Sequence, residues 1–278
     1  MKTRIITSVV ALAVLAAVLL SPPLVFNIAL GAVILVMLYE CYTSAKAPKT
    51  VMAAGFLSAV AMMGAVYESI YYIEPIWNNS YLMGAVLFTV LLHMGVTVAE
   101  HGKTDYRAVL SSGFLTLYIT LSMSCIALAK SLFGTPIMLI IFICAWMTDT
   151  GAYFTGKAFG KHKLIPHVSP NKTVEGSIGG IVISIFSCVL YLFIYTKWIM
   201  GSAEIGHWPM LIIGGVVIGG VASALAQLGD LAASAIKRDT DVKDFGWIFP
   251  GHGGFMDRFD SVLYISPVIY FLLQLFIS

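Results

Sequence analysis

The stretch Ser234–Asp260 reads SAIKRDTDVKDFGWIFPGHGGFMDRFD, and its reading decides how the remaining chain is understood. Nine of these 27 residues are charged: Lys237, Arg238, Asp239, Asp241, Lys243, Asp244, Asp257, Arg258 and Asp260. The two signs alternate at short spacing around a turn of Pro250, Gly251, His252, Gly253 and Gly254. The whole chain is the opposite, 59% hydrophobic and only 11% charged, against about 25% charged in a soluble protein. A solvated loop between membrane helices, with its cations kept on the cytoplasmic side, accounts for the Lys and Arg. It leaves the acids unexplained. Asp257 and Asp260 are three apart and share one face of the helix that opens the last apolar run. A carboxylate entering a membrane is costly unless something pairs with it. Cations at this density bind anions, commonly phosphate, and carboxylates beside a phosphate call for a metal ion to offset the repulsion.

Outward from this stretch the sequence is a series of apolar runs. A bilayer crossing takes about 17–25 residues, and nine runs qualify: about 5–20, 24–40, 51–67, 81–99, 109–129, 136–156, 174–196, 209–236 and 258–277. The expected fold is all-α, a polytopic integral membrane protein of about nine transmembrane helices. Residues 1–133 hold spans 1–5, and residues 134–278 hold spans 6–9 with the charged stretch 234–260. Of the 16 Lys and Arg, 14 fall on one side of this arrangement; only Lys130 and Lys197 fall on the other. Loops rich in Lys and Arg stay in the cytoplasm. The N-terminus and both motif-bearing loops are therefore expected there, in a cell-membrane protein whose active site faces the cytoplasm. A net charge of +2 gives no support to a nucleic-acid partner. Cys41, Cys125, Cys144 and Cys188 lie far apart in apolar surroundings, without a CxxC or His/Cys cluster, and read as small buried hydrophobes.

Three groups of residues outside the glycine-rich turn could carry chemistry. In span 8, Gln227, Asp230, Ser234 and Lys237 follow at steps of three, four and three, a polar stripe on the last turns of one helix. Facing lipid it would be costly, so a polar cavity is expected, continuous with the charged stretch. Asp149 ends the apolar run of span 6, with Tyr153 on the same helical face. A polar helix end near the interface is the simpler alternative, although Asp is short and snorkels poorly. The loop between spans 6 and 7 offers Lys161, His162, Lys163, His167 and then Ser169-Pro170-Asn171-Lys172-Thr173. Ser169 or Thr173 could cap span 7, with Pro170 suited to a first helical position. A helix N-terminus beside Lys172 is a ready phosphate site. His162 and His167 are either acid–base groups or exposed loop histidines. His252 either touches phosphate or shapes its turn, and lacks the second His or Cys that a zinc site needs.

The pattern S-x-I-K-R, four residues, K-D-x-G, two residues, F-P-x-H-G-G-F-x-D-R-F-D resembles the signature of the CDP-diacylglycerol synthases, or phosphatidate cytidylyltransferases. A second block, Asp149–Tyr153 through Ser169–Gly176, is similar to that family too, with Asn171 where a basic residue is usual and Val174 where an aromatic is usual. The resemblance implies CTP and phosphatidic acid as substrates, CDP-diacylglycerol and pyrophosphate as products, a lipid bilayer setting and a homodimer. It also implies K⁺ as a second cation beside Mg²⁺. On this reading Asp149, Asp230, Asp257 and Asp260 hold metal, and Lys237 and Arg238 act with Asp257 and Asp260 in catalysis. Ser169, Lys172, Thr173, Ser234, Lys243, His252, Gly253, Gly254 and Arg258 bind substrate. A cation-coupled transporter is the alternative that intramembrane acids and glycine-rich helices would also suit. Against it, the acids gather toward the cytoplasmic end, and no inverted repeat is visible.

Overall fold

The structure is a computed structural model; it describes residues 13–72, 79–199, 208–249, 251 and 253–277. Helix α1 covers 13–20 of the described residues. It is followed by α2 (Pro23–Ser44), α3 (Lys49–Tyr72) and α4 (Ser80–Ala99). The next helical stretch, Tyr106–Phe159, is 54 residues long. Unbroken, it would measure about 80 Å, far more than the roughly 30 Å of a hydrocarbon core. It breaks at Gly134, whose φ of 80° and ψ of 165° belong to a region only glycine occupies comfortably. Pro136 follows, with no N–H to lose at the start of a helix. The break separates α5 (106–133) from α6 (135–159). A short hairpin, β1 (Lys163–Ile165) and β2 (Ser169–Thr173), leads into α7 (Val174–Ile194), which ends in a π-helical turn, Tyr195–Ile199. Helices α8 (Trp208–Asp239) and α9 (Met256–Ile277) complete the described chain. Among the described residues a helix falls within each of the nine apolar runs, and six helical stretches, Tyr106–Phe159 among them, are long and apolar enough to cross a membrane. The protein is a multi-pass membrane protein, as the sequence predicts.

The chain divides into two compact units. The first comprises residues up to Thr135 together with Asp239–Phe259; the second comprises Pro136–Arg238 and Asp260–Ser278. Most of the charged stretch therefore counts with the N-terminal unit and not with the C-terminal half in which it lies in sequence.

In the first unit, polar groups tie apolar helices together. Asn79 caps α4 by accepting the Leu82 N–H at 2.9 Å, and its amide donates to the Ala65 carbonyl of α3 at 2.7 Å. Tyr42 of α2 hydrogen-bonds Thr116 of α5. Its hydroxyl lies so close to Gly55 of α3 that a Cβ there would sit 1.8 Å away. Lys130, on α5, is buried, and its Nζ donates to the Leu19 and Ser21 carbonyls, each at 2.8 Å, over the ring of Phe26. A cation at the carbonyl end of α1 satisfies both the orphan acceptors and the helix dipole. This gives Lys130, an exception to the charge bias, a structural role.

In the second unit, α6 and α7 meet along a seam of small residues. A Cβ on Gly179 would stand 2.2 Å from the Thr155 hydroxyl oxygen, and one on Gly151 would stand 3.2 Å from the Gly179 carbonyl. Helix α8 joins them through Gly219, whose carbonyl accepts from Ser184 at 3.1 Å, and through Ser223, bonded to Thr148 at 2.9 Å. Small residues permit this approach of backbones, which drives helix association where lipid offers no hydrophobic gain. The region between α6 and α7 differs from the expected plain loop. Ser169 pairs with Ile165 in the hairpin, Pro170 lies in strand β2 instead of opening the helix, and Thr173 is the cap, accepting from Gly176 N–H at 3.1 Å. Thr173 wins because it alone directly precedes the first helical residue.

Candidate active site

The second unit gathers acids and lysines from four elements. Gly229 brings α8 and α9 into backbone contact: a Cβ on it would stand 2.9 Å from the Asp260 carbonyl and 2.6 Å from Tyr264 Cβ. That contact sets Asp230, the next residue of α8, beside Asp260 of α9. Asp260 is 9% exposed and accepts the Ser261 N–H on Oδ1 at 2.7 Å. It lies in the electrostatic field of Asp230, Asp149 of α6 and Lys237 of α8. Lys172, carried on β2, reaches in from the hairpin. Its Nζ is 2.6 Å from Asp230 Oδ2 and 3.4 Å from the Gln227 carbonyl. Gln227 in turn donates to the Ser177 carbonyl of α7 at 3.3 Å. The polar stripe of α8 is thus engaged by residues of the same unit, with Ser234 half-buried and Arg238 exposed at its end.

The donor set suits a hard cation. A buried carboxylate facing two others is unfavourable unless positive charge joins them. Lys172 and Lys237 are two cations against three acids. Among the described residues, no group of three His, Cys, Asp or Glu side chains is gathered closely enough to hold an ion unaided. Mg²⁺ does not ask for that: it commonly takes one or two carboxylates and completes its octahedron with water and substrate phosphates. Asp230 and Asp260 fit this requirement. Asp149, exposed on α6, adds charge from the side.

The first unit builds the glycine-rich turn. Phe249 N–H donates to the Gly253 carbonyl at 2.9 Å, closing a small antiparallel bridge. Gly253 has φ of 82°, and a Cβ on it would meet Asp257 Oδ2 at 2.7 Å, so both conformation and space require glycine. Asp257 is buried, and its Oδ2 accepts the N–H groups of Phe245 at 2.8 Å and Gly254 at 3.0 Å. Lys243 and Arg258 are exposed. His252 lies outside the described residues. His162 is exposed and bonded to Glu175 at 2.6 Å.

The sequence profile of the cytidylyltransferase family matches residues 2–276. The chain belongs to that family. It is 37% identical to a phosphatidate cytidylyltransferase of Bacillus subtilis (strain 168), across 99% of this chain and 98% of that protein. Phosphatidate cytidylyltransferases of Staphylococcus saprophyticus and Staphylococcus aureus (strain COL) are 32% and 33% identical, each across 98% of this chain and 99% of theirs. The match extends through α1–α5, beyond the C-terminal motifs that carry the resemblance in sequence.

One residue of this family member escapes a reading by motif. Glu40, near the end of α2, is 4% exposed and accepts the N–H groups of Phe255 and Met256. The only sequence signal is an acid inside an otherwise apolar span, Tyr39-Glu40-Cys41-Tyr42, by the same rule that singles out Asp149 and Asp230.

Proposed function

We propose that the chain transfers CMP from CTP to phosphatidic acid, forming CDP-diacylglycerol and pyrophosphate with Mg²⁺. The full-length likeness to phosphatidate cytidylyltransferases carries this reading, and the acid–lysine cluster of the second unit supports it. A phosphate oxygen of phosphatidic acid forms a bond to the α-phosphorus of CTP. The bond from that phosphorus to the bridging oxygen breaks, and pyrophosphate departs with the electron pair. The attacking oxygen is already anionic near neutral pH, so the residues need supply no strong base. Their work is positioning and charge compensation, which dominate phosphoryl chemistry. Asp230 and Asp260 would hold Mg²⁺, which when bound neutralises phosphate charge and orients the oxygens around phosphorus. Lys172 and Lys237 give the triphosphate two cationic partners; Lys172, already drawn to Asp230, has a reach that an arriving phosphate can share. A second cation, K⁺, and a homodimer belong to the same reading by family resemblance alone.

The reading puts the cluster on the cytoplasmic side of a cell membrane, where CTP is found, with the N-terminus on that side. The 14-to-2 distribution of Lys and Arg supports this. A cysteine replacing the exposed Ser80 at the start of α4 is expected to react with an impermeant maleimide added outside cells. One replacing exposed His162 is expected to react only after the cytoplasmic face is opened. Labelling of both from one side would contradict the arrangement. The activity itself is tested with purified protein in mixed micelles: CDP-diacylglycerol is expected only when CTP and phosphatidic acid are both present. No lipid product with both present would reject the assignment.

A further inference from the structure

Helix α9 opens without a capping residue of its own. The position before it is Phe255, which has no side-chain acceptor. The first N–H groups of a helix still need acceptors, and here they come from Glu40, 215 residues earlier in the chain. Phe255 N–H donates to Oε1 at 3.1 Å and Met256 N–H to Oε2 at 2.9 Å, so both carboxylate oxygens are used. A carboxylate also complements the positive end of the helix dipole. Two glycines make room for it: a Cβ on either Gly246 or Gly254 would stand 2.2 Å from Oε1. Glu40 therefore sits between both arms of the loop that the charged stretch forms in the first unit. Together with Asp257 it takes up the N–H groups of Phe245, Gly254, Phe255 and Met256. The N–H groups of Phe255 and Met256 are consequently not offered to a phosphate, which would otherwise be a natural ligand there.

We infer that Glu40 is a positioning residue: from within α2 it clamps the two described arms of the glycine-rich loop, residues 245–249 and 253–257, in the geometry that nucleotidyl transfer uses. Its carboxylate does not touch the reacting atoms. It replaces the missing local cap, and its charge and length are matched to two N–H donors flanked by glycines. Glu40→Gln keeps the shape but offers one acceptor oxygen, and its amide group faces a donor with a donor. Glu40→Ala removes both acceptors. Gly246→Ala leaves Glu40 in place but pushes its carboxylate away.

Because this role rests on the nucleotidyl-transfer reading, the first measurement needs no turnover. Hydrogen–deuterium exchange of the full-length protein in micelles is expected to quicken in residues 250–257 by about tenfold in Glu40→Gln and further in Glu40→Ala, with the α3–α4 hairpin unchanged. Kinetics normalised to folded protein are expected to show kcat about tenfold lower in Glu40→Gln, KM for CTP little altered, and a larger kcat loss in Glu40→Ala. Gly246→Ala is expected to reproduce both effects, and serves if Glu40→Ala fails to fold. Unchanged exchange in 250–257 for Gly246→Ala or Glu40→Gln overturns the clamp. Faster exchange there with unaltered kcat overturns its catalytic importance, and exchange quickened throughout the first unit reduces Glu40 to a structural residue. If the wild-type protein makes no CDP-diacylglycerol, local exchange still reports the clamp, so the two failures are distinguishable.

Discussion

Asp260→Asn is expected to lower kcat for CDP-diacylglycerol formation by at least about a hundred- to a thousandfold, the loss that follows removal of one preorganised charge-stabilising group, while leaving the protein folded. The structure gives both halves of this expectation. Asn keeps the oxygen that accepts the Ser261 N–H, so the local backbone of α9 retains its partner. What disappears is a buried carboxyl group in the electrostatic field of Asp230 and Asp149. Like charges at short range in a poorly solvated place repel. Their relief predicts a melting temperature equal to or above wild type, measured without Mg²⁺. Activity lost together with stability gained is the pattern of a residue kept for chemistry. Asp257→Asn is expected to differ, losing activity and stability together, because Asp257 Oδ2 accepts the Phe245 and Gly254 N–H groups. Full activity in Asp260→Asn would remove Asp260 from the proposed metal site.

The second large effect is expected at Lys172. A charge-assisted hydrogen bond to phosphate contributes about 1.5–3 kcal/mol, or about ten- to a hundredfold in a binding constant. Lys172→Met is expected to raise KM for CTP, or lower kcat/KM for CTP, by that factor, with phosphatidic acid dependence little changed. The 2.6 Å pair with Asp230 adds a condition. Without the lysine, Asp230 loses its near cation, so part of the defect is expected to be recovered by higher Mg²⁺. Lys172→Arg is expected to restore part of the loss, since a guanidinium keeps the charge but not the reach. Unchanged CTP kinetics in Lys172→Met, measured on folded enzyme, would reject the contact and leave Lys172 as a topological charge alone.

What was legible in the sequence follows from what each feature depends on. The apolar, multi-pass helical fold was legible because lipid demands long apolar helices, a rule local to each segment. The cluster of Asp230, Asp260 and Lys172 was legible as types and faces: a three-and-four stripe on α8, and a lysine at the mouth of α7. The hairpin before α7 was not. Ser169, Pro170 and Thr173 all read as plausible helix-start residues, and strand pairing, a contact between two segments, decided among them. Glu40 was less legible still. Its importance comes from a partner 215 residues away and from two glycines, Gly246 and Gly254, that a motif treats as turn formers. Gly134 shows the converse case. Its break in Tyr106–Phe159 is a single-residue conformation, yet the span count required it because no bilayer accommodates that length as one crossing.

The central claim is CMP transfer to phosphatidic acid, and the position of a radiolabel tests it most directly. Purified protein is supplied with phosphatidic acid, Mg²⁺ and CTP carrying ³²P at either the α- or the γ-phosphate. The account predicts that α-label passes into extractable lipid as CDP-diacylglycerol, only with phosphatidic acid and Mg²⁺ present, while γ-label leaves entirely as pyrophosphate. Appearance of γ-label in lipid, or α-label incorporated at an undiminished rate in excess chelator, would contradict it.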